Sequence, residues 1–308
     1  MTPPKKLEPG NPNDDYPVND MNSANFNVGG VRRTLPAEKQ LEQLTSYLDA
    51  TYELPDFTPP WKGGDGDPDP ADRYTALLPD RITHAAMLML GSAVDHAMPG
   101  VAYAQGVETQ DVPEIHSRVF KPSEPTGRWA VSLHSGGWWR GSGPSLEHQW
   151  RPEVAAAAEL SGTTIVDVDY PLAPQSSVPE MVQAVRSAID WIRSENPTSI
   201  TAWGYSSGGA LAAMMGNDVD ALVLTFPDLA SVEKLPGDIS QNASIGNPQD
   251  WGRTLVQIAA QDDIAPRPTG IDDIPSVQVK EYVSTHRVST PEVARQRVHD
   301  VAEFLRNV

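Results

Sequence analysis

The stretch Gly204-Tyr205-Ser206-Ser207-Gly208 decides the fold of this chain. It lies between the short apolar pattern of residues 199–203 and the small residues 209–215, so it predicts a sharp turn from a strand into a helix. Glycines two positions on either side of Ser206 remove the Cβ atoms that would clash in such a turn. A serine on this turn stands clear of the sheet and can act as a nucleophile. The pattern also occurs in ordinary loops, so its interpretation depends on the surrounding sequence.

A second motif, His134-Ser135-Gly136-Gly137-Trp138, follows the apolar strand pattern of residues 129–133. Glycines in such a loop allow backbone N–H groups to point at a developing negative charge, as in an oxyanion hole. We predict that the donors are the N–H groups of Gly136 and Gly137, together with that of Ser207 directly after the nucleophile. For this motif taken alone, a glycine-rich β-turn is the better interpretation. The order of the two motifs favours the oxyanion hole.

A third segment, Val166-Asp-Val-Asp-Tyr-Pro-Leu-Ala-Pro174, precedes a helical pattern with one apolar face formed by Val182, Val185, Ile189 and Ile192. Together the three motifs resemble those of the bacterial hormone-sensitive-lipase-like esterases. These proteins carry an H-G-G-G-[FW] loop, a D-Y-x-L-A-P run and a serine turn in this order. The resemblance covers roughly the last two thirds of the chain.

The resemblance implies an α/β-hydrolase fold, with a mostly parallel central sheet flanked by helices and an N-terminal helical cap. Ser135 and Pro171 depart from the commonest family pattern. We expect a disordered or surface arm over residues 1–33, a helical cap region over 34–110 and the catalytic domain over 111–308. The arm is expected because the first thirty residues are rich in Pro, Asn and Asp.

A serine nucleophile on this fold needs a carboxylate and then a histidine, in that chain order. Of the seven histidines, only His286 and His299 follow Ser206. His286 lies between the strand pattern 277–283 and a helix predicted to start near Thr290, which places it at the carboxyl end of the sheet. His299 lies on the polar side of that terminal helix and is predicted to be a solvated surface residue. We therefore predict that His286 is the catalytic base.

Two aspartates compete for the carboxylate position. Asp262 and Asp263 both follow the apolar strand pattern of residues 254–260. Alignment with the family's strand-then-G-x-x-D-P-L pattern places Asp262 on the catalytic position. An exposed turn or helix cap is the ordinary role of such a pair, and we expect Asp263 to have it.

Composition excludes several other classes of function. The formal charge of −18 argues against binding to nucleic acid or to anionic lipid. Without cysteine there is no disulfide framework or thiolate site, and the histidines show no metal-ligand spacing. The apolar stretch from Ile82 to Met98 predicts a helix too short in uncharged length to span a membrane. We expect no metal, no cofactor, no signal peptide and no integral membrane segment, with the cytoplasm as the default location.

The sequence thus predicts a serine carboxylesterase that cleaves small-molecule esters with short to medium acyl chains through an acyl-enzyme. The segment between Ser206 and Asp262 is shorter than the family resemblance implies, and residues 226–250 within it are mostly loop-like, so any lid on that side should be small. We predict that Trp138 and Tyr205 contact the substrate, and Met87, Met89 and Met98 are further candidates for an acyl pocket. Two alternatives remain open, an aryl formamidase with the same triad and a non-catalytic small-molecule-binding protein. The sequence also leaves a homodimer open.

Overall fold

The computed structural model describes residues 35–91 and 94–308. Of the preceding segment it describes only the backbone of a short antiparallel pair, β1 (Asn27–Val28) and β2 (Val31–Arg32). Apart from these two strands, the arm expected over residues 1–33 lies outside the described residues.

The main sheet of the described residues has eight strands, in the order β10-β9-β8-β7-β5-β6-β4-β3. Strands β5 to β10 are parallel to one another, whereas β4 is antiparallel to both of its neighbours, β3 and β6. The central strands are apolar and buried on both faces, as parallel strands covered by helices are. The strands are β3 (Glu108–Val112), β4 (Ser117–Lys121), β5 (Arg128–Leu133), β6 (Thr164–Val168), β7 (Ser199–Tyr205), β8 (Ala221–Thr225), β9 (Arg253–Ala259) and β10 (Val277–Tyr282).

Helices cover both faces of this sheet. Along β5, Ala130 packs into one hydrophobic core and Val131 into the other, because successive strand side chains point to opposite faces. The helices are α1 (Ala37–Thr51), α2 (Asp69–Ala76), α3 (Leu78–Met89), α4 (Pro99–Tyr103), α5 (Arg151–Ser161), α6 (Val178–Ser194), α7 (Ser207–Ala213), α8 (Gly237–Ser240) and α9 (Pro291–Arg306). Shorter helical turns are Pro60–Lys62, Pro113–Ile115, Leu146–Trp150, Leu229–Lys234 and Pro248–Asp250.

Local sequence explains where the two long helices of the sheet domain begin. A capping box starts α6, in which the Ser177 backbone N–H donates to the Glu180 carboxylate at 2.7 Å. The Thr290 hydroxyl accepts from the Val293 N–H at the start of α9. Of the apolar face predicted for α6, Val185, Ile189 and Ile192 are buried and Val182 is partly buried.

The N-terminal region has a small core of its own. Leu44 and Leu48 of α1 pack with Leu78 and Ile82 of α3. The predicted helical nature of this region is confirmed, as is the predicted fold class. The helix predicted from Ile82 to Met98 is wrong in its bounds: α3 ends at Met89 before Gly91, a residue that disfavours helix continuation, and α4 begins only at Pro99. In the described residues, no helix combines the length and apolarity that a membrane span requires.

Candidate active site

Ser206 stands on the turn between β7 and α7 in an unusual backbone conformation. Its φ of 57° and ψ of −119° lie in a region that non-glycine residues rarely adopt, and such strain is typical of functional turns. A Cβ atom on Gly204 would lie 2.0 Å from the Gly208 carbonyl oxygen, so this close approach requires glycine. The strand-to-helix turn predicted from the sequence is present.

Two hydrogen bonds join Ser206, His286 and Asp262. The Ser206 Oγ lies 2.8 Å from His286 Nε2, and His286 Nδ1 lies 2.7 Å from Asp262 Oδ2. Ser206 and His286 are buried. The three residues follow β7, β10 and β9, whose carboxyl ends meet at one edge of the sheet. With Nδ1–H donating to the carboxylate, Nε2 is free to accept the serine proton.

The surroundings of Asp262 keep its carboxylate charged. Burial raises its pKa, but the hydrogen bond and charge of His286 and the N–H groups of Ala265 and Ile264 outweigh burial, so the net pKa is lowered. These two N–H groups donate to Oδ1 at 2.8 and 2.9 Å. Asp263 is exposed and makes no side-chain hydrogen bond with the described residues. The structure therefore brings Asp262, and not Asp263, to the histidine.

The loop predicted to form the oxyanion hole lies beside Ser206. Gly136 adopts a φ of 143°, and a Cβ atom there would lie 1.7 Å from the Arg140 carbonyl oxygen. The Gly137 N–H donates to the Ser207 Oγ at 2.9 Å. Ser207 is the first residue of α7, where a backbone N–H has no partner within the helix. Sequence analysis assigned only the backbone of Ser207 and missed this hydroxyl contact, for which the second serine of the turn is the signal.

The third sequence motif holds this loop in place. The Tyr170 hydroxyl donates to the His134 carbonyl oxygen at 2.8 Å, and the two rings stack with centroids 4.3 Å apart. Further along, the Ala173 N–H donates to the Trp138 carbonyl oxygen at 2.9 Å. The His134 ring also contacts the neighbouring Ser135 carbonyl oxygen at 2.6 Å through Nδ1. His134 therefore braces the loop and does not contact the Ser206 hydroxyl.

Comparison with known proteins agrees with this architecture. A family model described as alpha/beta hydrolase fold matches residues 130–234, which include both the loop and the serine turn. The chain has the α/β-hydrolase fold. It is 30% identical over 155 residues to an AB hydrolase superfamily protein of Schizosaccharomyces pombe, covering 44% of each chain. It is 32% identical over 161 residues to neutral cholesterol ester hydrolase 1 of Pongo abelii, covering 45% of this chain and 39% of that protein. The chain thus matches less than half the length of either relative.

Solved structures with this α/β-hydrolase fold include esterases. A Pyrobaculum calidifontis esterase superposes with a TM-score of 0.53 at 20% identity, covering 78% of this chain and 91% of that chain. An esterase from the bacterial hormone-sensitive lipase family superposes with a TM-score of 0.54 at 15% identity, covering 89% and 99%. The resemblance predicted from the sequence motifs is confirmed.

A cavity of about 270 Å³ opens onto Ser206 and His286. Trp138 and Tyr205, the two predicted substrate contacts, both line it although their side chains are largely buried. The Trp138 Nε1 donates to Ser231 Oγ at 2.9 Å, and the Tyr205 hydroxyl donates to the His286 carbonyl oxygen. The N-terminal region supplies part of the wall through Phe57, Pro59, Trp61, Lys62, Thr75 and Leu78.

The methionines proposed for the acyl pocket do not line this cavity. Among the described residues, Met87 is 56% exposed, and Met98 lines a separate small cavity of about 40 Å³. Met87 and Met89 lie in the last turn of α3, and Met87 points to solvent because Ala85 and Ala86 form the buried side. His299 also differs from its prediction, since it is half-buried with its ring 4.8 Å from that of Tyr103.

Two guanidinium groups flank the cavity and were not identified from the sequence. The Cζ atoms of Arg140 and Arg287 lie 4.7 and 3.9 Å from the Phe57 ring centroid. Burial lowers the pKa of Arg140 to about 10 and also lowers the pKa of Arg287. In the ranges that the structure describes, no group of three or more His, Asp or Glu side chains could hold a metal ion.

Proposed function

We propose that this protein is a serine carboxylesterase that cleaves small-molecule esters with short to medium acyl chains. The observation that supports it most directly is the pair of hydrogen bonds, 2.8 and 2.7 Å long, that connects Ser206 through His286 to Asp262. Such a chain makes a serine hydroxyl nucleophilic at neutral pH because the imidazole accepts its proton as it attacks. No cofactor enters this chemistry.

Each residue has a defined role in the proposed reaction. The Ser206 Oγ attacks the ester carbonyl carbon while His286 Nε2 takes its proton, and Asp262 stabilises the imidazolium. The imidazolium then protonates the departing alcohol, which leaves an acyl-enzyme on Ser206. A water molecule, deprotonated by His286, attacks the acyl group and releases the acid.

The developing oxyanion would accept hydrogen bonds from the backbone N–H groups of Gly136, Gly137 and Ser207. The Gly137 N–H contributes only by sharing or giving up its bond to Ser207 Oγ. The backbone N–H groups of Gly136 and Ser207 are therefore the main donors in the proposed oxyanion hole. For residues 34–110 we propose the role of a cap, supported by the contacts of Phe57 and Trp61 with the cavity.

One assay separates an esterase from a binding protein on the same fold. The purified protein is incubated with p-nitrophenyl acetate, and in parallel labelled with a fluorophosphonate that reacts with activated serines. We expect saturable turnover and stoichiometric labelling of Ser206. Absence of both would contradict the proposal and favour a non-catalytic binding protein. Faster cleavage of an aryl formamide than of every ester tested would favour the formamidase alternative.

Gly136→Ala should lower kcat by about 10² to 10³, the cost of losing an oxyanion-hole donor. The added Cβ would lie 1.7 Å from the Arg140 carbonyl oxygen, so the loop must move. Gly143→Ala is the matched control, because Gly143 also has a positive φ, of 58°, but no atom lies within 4 Å of its added Cβ and it does not line the cavity. Steady-state kinetics on p-nitrophenyl acetate give the comparison. Equal losses in the two variants would argue against a specific role for the Gly136 region of the loop.

The acyl-chain profile should peak at short chains of about two to six carbons. Each buried methylene contributes about 0.8 kcal/mol only while it fits the cavity, and Trp138 and Trp139 limit a cavity of about 270 Å³. The measurement is kcat/KM for p-nitrophenyl esters from two to twelve carbons, kept below the concentration at which they form micelles. A profile that still rises at twelve carbons would contradict this size limit and indicate a lipid substrate.

A further inference from the structure

Arg287 is the residue directly after the proposed base, and it lines the same cavity as Ser206. Its guanidinium lies against the Phe57 ring, with Cζ 3.9 Å from the centroid, which holds the planar group in place. Burial lowers the pKa of Arg287, but an arginine side chain keeps its charge at neutral pH. The chain therefore maintains a partly buried cation beside its proposed reaction centre.

The two arginines at Phe57 differ in their partners. Arg140 Nη1 lies 3.4 Å from an Asp72 oxygen and 3.3 Å from the Thr75 hydroxyl, so its charge is already compensated. Arg287 makes no salt bridge and no side-chain hydrogen bond with any described residue. The nearby Asp262 carboxylate is hydrogen-bonded to His286 instead. The charges of Asp263 and Asp262 act on Arg287 without a hydrogen bond to it. A partly buried guanidinium with no hydrogen-bonded carboxylate is costly unless a ligand supplies one.

The charge around the cavity is opposite to that of the whole molecule. The sequence carries 41 acidic and 23 basic residues. The cavity wall nevertheless contains Lys62, Arg140, Lys234 and Arg287 against a single carboxylate outside the triad, that of Asp228. Burial raises the pKa of Asp228, and the nearby charges of Lys234 and Lys62 partly oppose that shift. The two lysines act on Asp228 through their charge alone, since no salt bridge joins them among the described residues, and one buried oxygen of Asp228 has no hydrogen-bond partner there. Arg287 is the cavity-lining guanidinium that no described carboxylate contacts.

We infer that the preferred ester carries an anionic oxygen group, such as a carboxylate, and that Arg287 binds this group. The inference deepens the proposed esterase function and rests on it. A guanidinium can hold a carboxylate through two parallel hydrogen bonds, which fixes the orientation of the ester as well as its affinity. The net negative charge of the protein would repel an anionic ester, so a positive charge at the cavity is needed for this substrate to bind.

The experiment compares matched anionic and neutral esters. With the anion on the alcohol side, the pair is 4-acetoxybenzoate and methyl 4-acetoxybenzoate. With the anion on the acyl side, the pair is mono-4-nitrophenyl adipate and 4-nitrophenyl hexanoate. For each pair, the ratio of kcat/KM for the anionic ester to that for the neutral ester is measured in the wild type, Arg287→Gln, Arg287→Lys and Arg186→Gln. The two esters of a pair differ in intrinsic reactivity. This difference cancels when the ratio for one pair is compared between the wild type and a variant.

Arg287→Gln should lower this ratio about tenfold or more in at least one pair, because a charged hydrogen bond is lost. Arg287→Lys should lower the ratio less than Arg287→Gln does. Lysine keeps the positive charge but lacks the planar guanidinium that forms two parallel hydrogen bonds. Arg186→Gln should leave the ratio unchanged, because Arg186 lies on α6 away from the cavity and pairs with Asp218. The pair that responds identifies the side of the ester that carries the anion. An equal loss for anionic and neutral esters, or no loss, would overturn the inference and leave Arg287 a structural contact of Phe57.

A binding measurement separates failure of this inference from failure of the proposed function. Calorimetry on Ser206→Ala, with and without Arg287→Gln, measures affinity for 4-acetoxybenzoate and its methyl ester without turnover. If the wild type cleaves no ester but the Arg287-dependent preference for the anion persists, the anion site stands and the esterase function falls. If esters are cleaved but neither kinetics nor binding depends on Arg287 in a charge-selective manner, the inference falls alone.

Discussion

Ser206→Ala should reduce ester hydrolysis by about 10⁴ to 10⁶ in kcat, because the members of a catalytic triad act as a unit. The substitution removes the only hydroxyl that contacts His286 Nε2 among the described residues. Residual turnover would come from the oxyanion donors and from substrate binding alone. The measurement is kcat for p-nitrophenyl acetate, with the melting temperature as the check that the fold is intact.

Ser207→Ala provides the control for this change. It keeps the backbone N–H and the small side-chain volume at position 207, and it removes a hydroxyl that accepts from the Gly137 N–H and interacts with the Tyr170 side chain. We expect a loss of less than about tenfold, consistent with a neutral hydrogen bond of roughly 1 kcal/mol. Retention of more than a tenth of the activity in Ser206→Ala would contradict the assignment of the nucleophile.

Asp262→Asn should lower kcat by about 10³ to 10⁴, because an amide at this position disturbs the tautomer and the charge stabilisation of the histidine. Its Oδ2 lies 2.7 Å from His286 Nδ1, and its Oδ1 accepts from two backbone N–H groups. The net lowering of its pKa means that the carboxylate is charged throughout the neutral range. Kinetics from pH 6 to 8 on the same ester give the measurement.

Asp263→Asn is the matched control, since it makes the same chemical change one residue away on an exposed side chain. We expect its kcat to remain close to that of the wild type. If instead Asp263→Asn were the damaging change, the carboxylate that serves His286 during turnover would not be the one in contact with it here.

The sequence predicted best those features that depend on a few neighbouring residues. The turn at Ser206 requires small residues at fixed offsets, so its glycines reveal it directly. His286 and Asp262 each follow a recognisable strand, and the parallel order of those strands brings their ends together. The choice of Asp262 over Asp263 needed the family pattern, because composition treats the two aspartates alike.

Features built from distant segments were not predictable. Phe57 reaches Arg287 across more than two hundred residues, and no local pattern marks either of them as a cavity residue. The bounds of α3 were wrong because apolar composition continues past Met89 although the helix does not. The bond from Gly137 to Ser207 depends on the exact approach of two loops. Each of these contacts is decided by tertiary packing, which overrides local propensity.

The hydrogen bond from the Tyr205 hydroxyl to the His286 carbonyl oxygen couples the two halves of the reaction centre. Tyr205 immediately precedes the proposed nucleophile, and His286 is the proposed base, so a single side chain sets the spacing between the turn and the loop. The second position of the G-x-S-x-G pattern, which Tyr205 occupies, is therefore constrained in this chain. An engineer who shortened Tyr205 to admit bulkier substrates would also release the base. Enlarging the site at Trp61, which makes no hydrogen bond to Ser206, His286 or Asp262, leaves that spacing in place.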